Sequence, residues 1–117
     1  MRHRKKVRKL NKPADQRKAM LRSLVRSLIL NESVKTTLPR AREAAKLADR
    51  LVTWGKRGDV HSRRLALRVI PEPHVIAKLF EDIAPRYEDI DGGYARVIRA
   101  GLRRGDSAEM ALLRWRD

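Results

Sequence analysis

The first twelve residues constrain the fold of this chain more than any other stretch. Met1-Arg2-His3-Arg4-Lys5-Lys6-Val7-Arg8-Lys9-Leu10-Asn11-Lys12 carries only positive formal charge, and no acid appears before Asp15. Two aliphatic side chains among that many cations cannot repay the entropy of ordering the segment. Like charges in a run repel one another until an anion lies along them. Residues 1–12 are therefore expected to be a basic extension for nucleic acid, and any core must come from one globular domain over 13–117. That remainder is long enough for a single hydrophobic core. The hydrophobic fraction of 42%, mostly Ala, Leu, Val and Ile, supplies its material.

The bias extends beyond the arm. The formal net charge is +15, and Arg outnumbers Lys. A guanidinium forks onto phosphate oxygens and stacks on bases, whereas an ammonium is a point charge, so the preference for Arg points to a polyanionic partner. The chain has no Cys, which removes disulfides and thiolate zinc sites and permits a reducing compartment. No apolar run approaches the ~20 residues that span a bilayer. No apolar stretch follows the arm as a secretory signal requires, and the arm lacks the Ser and apolar stripe of an organellar transit peptide.

The order of elements is legible from periodicity. Pro13, Ala14 and Asp15 suit a helix start. Leu21, Leu24, Val25 and Leu28 follow with amphipathic helical spacing to about Asn31. Lys18, Arg22 and Arg26 line one flank of that helix at i, i+4, i+8, continuing the arm as a track for phosphates. Ser33-Val34-Lys35-Thr36-Thr37 reads as a short strand. Leu38-Pro39 ends it, and a second helix runs from about Pro39 to Lys56 with a small inner face at Ala41, Ala44, Ala45 and Ala48. Trp54 near its end reads as a partly buried anchor. Gly58-Asp59 is a helix stop followed by a new cap. On the third helix Leu65, Ala66, Val69 and Ile70 share one face and His61, Arg64 and Arg68 the other, with Arg63 at the margin. Beyond Pro71 and Pro73, a fourth helix carries its apolar stripe at Val75, Ile76, Leu79, Phe80 and Ile83, and Pro85 limits its length. Asp91-Gly92-Gly93 is a turn, after which Tyr94–Ala100 and Glu109–Trp115 form a hairpin. The alternation in that hairpin is imperfect. One face takes the helices, while the other needs RNA, a neighbouring protein or the surroundings of the first strand to cover it.

Catalytic and metal chemistry find no support. His3, His61 and His74 are too scattered for ligand spacing. Glu81-Asp82 and Glu88-Asp89 are adjacent pairs that diverge on a helix, unlike a general acid–base pair. Gly92-Gly93 lacks the frame of a phosphate-binding loop. Arg-Gly-Asp occurs at 57–59 and 104–106. Both copies sit where Gly and Asp serve a turn, which competes with an adhesion reading and outweighs it. Neither a catalytic residue, a metal site nor a cofactor is expected.

Four blocks carry a resemblance to a known family. They are Met1-Arg2-His3-Arg4-Lys5; Val34-Lys35-Thr36-Thr37-Leu38; Lys56-Arg57-Gly58-Asp59-Val60-His61-Ser62-Arg63-Arg64; and the stretch from Leu79-Phe80-Glu81-Asp82-Ile83 through Gly92-Gly93-Tyr94 to Arg103-Arg104-Gly105-Asp106 and Met110-Ala111. In this order the chain closely resembles the bacterial-type large-subunit ribosomal proteins numbered seventeen. The resemblance implies an α+β, two-layer domain of helix, strand, three helices and two-stranded hairpin behind a basic N-terminal extension. It also implies a structural role in the large ribosomal subunit, with ribosomal RNA and neighbouring large-subunit proteins as partners and no membrane or small-molecule substrate. The location implied is a ribosome of the bacterial cytoplasm, or alternatively that of a chloroplast or mitochondrion.

The RNA-binding candidates on the arm are Arg2, His3, Arg4, Lys5, Lys6, Arg8 and Lys9, followed by the Lys18, Arg22 and Arg26 track. On the body they are Arg63, Arg64, Arg68, Arg99, Arg103 and Arg104. Trp54 and Tyr94 are available for stacking, but with 4% aromatic residues charge should dominate. The rival reading is a free architectural DNA-binding protein, since a basic arm on a small domain suits minor-groove entry. An RNA-directed enzyme would need convergent acid–base groups that the chain lacks. An anionic-membrane binder would need a Trp- or Phe-anchored amphipathic helix.

Overall fold

The computed structural model describes residues 13–117. Helix α1 (Ala14–Asn31) buries Val25, Leu28 and Ile29. It stops at Glu32, whose backbone turns left-handed (φ 69°) while its amide still donates to the Leu28 carbonyl at 2.9 Å. Strand β1 (Ser33–Thr37) leads straight into helix α2 (Leu38–Arg57). Pro39 lies in the first turn of α2, where a missing N–H has no intrahelical partner to lose, so the proline starts the helix instead of interrupting the chain. Ala41, Ala44, Ala48, Leu51, Val52 and Gly55 form the buried face of α2. Gly58 (φ 69°) closes the helix, and Asp59 caps helix α3 (Val60–Val69) by accepting the Ser62 amide at 2.8 Å.

The expected fourth helix divides. Regular α-helix α4 covers Pro73–Lys78, a wide π turn takes Leu79–Ile83, and a tight 3-10 turn takes Ala84–Tyr87. The break packs against α2. A Cβ added at Gly55 would stand 2.8 Å from the Ala84 Cβ and 3.7 Å from the Leu79 carbonyl oxygen. The junction of the two turns thus packs against a position that has no side chain.

Strands β2 (Ala95–Leu102) and β3 (Glu109–Trp115) make the expected hairpin, with β2 starting at Ala95 and continuing past a bulge between Arg99 and Leu102. The strand from the N-terminal half joins them. β1 pairs antiparallel with β3, so a three-stranded sheet in the order β1-β3-β2 replaces an isolated two-stranded hairpin. Ala111, Leu113 and Trp115 of β3 point to the helices, beside Val34 and Thr36 of β1 and Val97 of β2 in register. The opposite face carries Lys35, Arg96, Ile98, Met110, Leu112 and Arg114.

Four long-range hydrogen bonds tie the helices to the sheet and the chain that flanks it. The Trp115 indole N–H donates to the Leu28 carbonyl at 3.1 Å, and the Tyr87 hydroxyl donates to the Arg116 carbonyl at 2.6 Å. Asp49 of α2 accepts the backbone amides of Tyr94 and Ala95 at 3.0 and 3.1 Å, which sets where β2 begins.

Candidate nucleic-acid interface

The Gly58 stop and the Asp59 cap fix the rotation of α3. Ser62 and Ala66 turn inward, which leaves Arg64 and Arg68 exposed on the other side. These two are one helical turn apart, so their charges repel across a short gap. Neither has a carboxylate partner among the described residues. Arg63 sits at the margin, its guanidinium 5.3 Å over the Phe80 ring. Such a contact orients the group while leaving its donors facing water.

The tip of the β2–β3 hairpin presents a second cluster. Gly105 (φ 98°) and Ser107 (φ 58°) turn the chain. Arg103 grips Asp106 with Nε to Oδ1 at 3.1 Å and Nη2 to Oδ2 at 2.5 Å. That grip, together with the Ala108 amide, holds the Asp106 carboxyl down to about 2. Arg104 beside it is exposed and has no carboxylate among the described residues. Arg99 is in register with the buried Ala111, on the helix-facing side of the sheet, yet it is exposed on the edge strand β2.

On α1, the track of three cations is not uniform. Lys18 and Arg22 are exposed, but Arg26 forms an ion pair with Glu72 in the turn before α4. The Glu72 hydrogen bond raises the guanidinium's pKa, and the same bond lowers that of Glu72. Lys18 and Arg22, with Arg17, instead form one wall of a groove of about 340 Å³ whose other wall is Lys46 and Arg50 of α2. Leu21, Leu47 and Val69 make its floor. Glu43 also lines it, 5% exposed and ion-paired with Lys46 at 2.9 Å.

Sequence reasoning did not single out Arg17, Lys46 or Arg50. Lys46 and Arg50 share a helix flank, but only the packing of α1 on α2 brings them opposite Arg17 and Arg22. It also passed over Arg96 and Arg114, which are register partners on the outer sheet face. Strand alternation puts Arg96 with Ile98 on that face, and this was the available signal.

The arm candidates Arg2, His3, Arg4, Lys5, Lys6, Arg8 and Lys9 lie outside the described residues. Both Arg-Gly-Asp copies serve turns, Gly58 and Gly105 supplying positive φ, Asp59 a helix cap and Asp106 a turn oxygen. Trp54 is partly buried against the core. Among the described residues no group of three His, Cys, Asp or Glu side chains is placed to hold a metal ion, and no helix is long and apolar enough to cross a membrane.

The family described as ribosomal protein L17 matches residues 20–116. A protein of Thermodesulfovibrio yellowstonii named large ribosomal subunit protein bL17 is 51% identical over 117 residues, all of this chain and 88% of that relative. The bL17 of Caldanaerobacter subterraneus is 51% identical over 106 residues, 91% of this chain and 95% of its own. The bL17 of Allorhizobium ampelinum is 48% identical over 115 residues, 98% of this chain and 82% of its own. With nearly the whole folded body matched, the chain belongs to the ribosomal protein L17 family.

Proposed function

We propose that this structural ribosomal constituent binds the RNA of the large subunit through its basic arm and the arginine-bearing faces of its body. The observation that carries the reading is that Arg64, Arg68, Arg99 and Arg104 stand exposed with no carboxylate partner among the described residues. An arginine that repels its neighbour and lacks an acid is stabilised by phosphate. Arg2, Arg4, Lys5, Lys6, Arg8 and Lys9 neutralise phosphates along the arm, and the body's arginines fix its orientation. Phosphate contacts position without reading sequence, so recognition comes from RNA shape. Neighbouring large-subunit proteins are the second class of partner, and the ribosome of the bacterial cytoplasm is the place of work. No catalytic step is assigned.

Titration of the full chain with large-subunit ribosomal RNA fragments between about 50 and 200 mM salt tests this. Each phosphate contact contributes roughly 0.7–0.9 to the slope of log affinity against log salt. Changing Arg4, Lys5 and Lys6 together to Ala should flatten the slope by about 2–3. Arg64→Ala with Arg68→Ala should flatten it by about 1.5. An unchanged slope in the triple variant removes the arm from the contact.

A further inference from the structure

We infer that the groove between α1 and α2 seats a single unpaired nucleotide of the RNA, its base on the apolar floor and its phosphates on the cationic rim. The inference rests on the RNA-binding reading and names a site within it. The rim chemistry selects an anion, because among the described residues Arg17, Lys18, Arg22, Lys46 and Arg50 surround the opening against the one carboxylate of Glu43, which is already paired with Lys46. The floor selects an apolar body. Leu21, Leu47 and Val69 are partly buried, packed on the core, and open toward the groove.

Few occupants combine these two properties. A paired RNA helix offers phosphates but keeps its bases stacked inside, so it leaves the floor uncovered. A nucleotide splayed out of a loop or bulge presents both parts at once. The size agrees: about 340 Å³ is at the small end of the range that holds a compact organic ligand, roughly 300–1,000 Å³, and is too small for a duplex. Three of the five rim cations are arginines, whose planar groups can lie over a base while their edges bond phosphate. An acidic amphipathic peptide shares the charge, but the arginine-rich rim and the compact volume favour the nucleotide.

The test uses the full chain and three labelled RNA hairpins read by fluorescence anisotropy: one fully paired, one with a single bulged adenosine, and one with an abasic residue at the bulge. The base-bearing bulge should bind roughly ten-fold more tightly than the abasic one, the scale of burying one face of a base on an aliphatic floor. Leu47→Asp, which puts a carboxylate on the floor, should erase that preference while leaving affinity for the paired hairpin within about two-fold. Arg50→Glu, on the exposed rim, should weaken the base-bearing bulge more than the paired hairpin, and it guards against a folding defect in the floor variant. Equal binding of base-bearing and abasic bulges overturns the inference. So does Leu47-dependent capture of an acidic amphipathic peptide in the absence of a base preference. Failure to bind any of the three RNAs would instead sink the RNA-binding reading itself.

Discussion

Asp49 and Asp106 show two carboxylates put to opposite uses. Asp49 is half-buried, and burial pushes its pKa up against the pull of the Ala95 and Tyr94 amides. A folded pKa above the unfolded value means that the stability linked to Asp49 is full below the unfolded pKa and is lost as pH rises through the folded one. The acid's charge is therefore a cost at neutral pH, and its oxygen is the asset. Asp49→Asn keeps the acceptor and should leave the melting temperature equal or higher at pH 7. Asp49→Ala strands two amides and should cost about 1–3 kcal/mol in denaturant unfolding. Asp106 has the reverse sign: Arg103 holds it at about 2, so its contribution is present above the usual carboxylate range and is lost as pH falls through about 2. In Arg103→Ala, carbon-detected NMR titration should find Asp106 back near 3.9 or slightly below. The turn role of Asp106 was legible because Gly105 stands beside it. The role of Asp49 was not, since the amides it holds lie 45 and 46 residues further along the chain.

At the scale of elements, the contact of α2 with the two turns over 79–87 makes a sharp prediction. Gly55 lies inside a helix, where Ala would ordinarily gain about 1 kcal/mol. Here the added Cβ meets the Ala84 Cβ at 2.8 Å, and that methyl has no flexible end to move aside. Gly55→Ala should therefore destabilise the fold by about 1–3 kcal/mol despite its better helix propensity. The companion change Gly55→Ala with Ala84→Gly should recover part of the loss in chemical denaturation. Helix starts and stops were readable because Pro39, Gly58 and Asp59 act on their immediate neighbours. The π turn was not, because the apolar stripe Val75, Ile76, Leu79, Phe80, Ile83 suits a regular helix equally well, and the Gly55 position packed beside it lies on another element. The pairing of β1 with β3 escaped for the same reason, its register linking Ser33 to Arg114. Of the candidate interface, the exposed face of α3 followed from periodicity. The α1–α2 groove did not, because it exists only where two helices meet.

Across the whole molecule, a net charge of +15 acts on folding and on binding with opposite signs of salt dependence. In the free chain, cations such as Arg64 and Arg68 repel one another and work against compactness. Added salt shortens the screening length to roughly 10 Å at 0.1 M and 3 Å at 1 M, which relieves that repulsion. The ion pairs that salt also weakens are mostly exposed and each is worth only about 0–1 kcal/mol, so relief of repulsion wins. The melting temperature of the free chain should therefore rise by several degrees between about 50 mM and 0.5 M potassium chloride, as followed by circular dichroism. Under the proposed function, affinity for ribosomal RNA should fall over the same range, because the cations that repel in the free chain would be those that displace counterions from phosphate. A free chain whose melting temperature falls with salt would mean that its internal ion pairs outweigh its repulsion. The surplus of arginine would then be a neutralised feature of the fold and not one held ready for RNA.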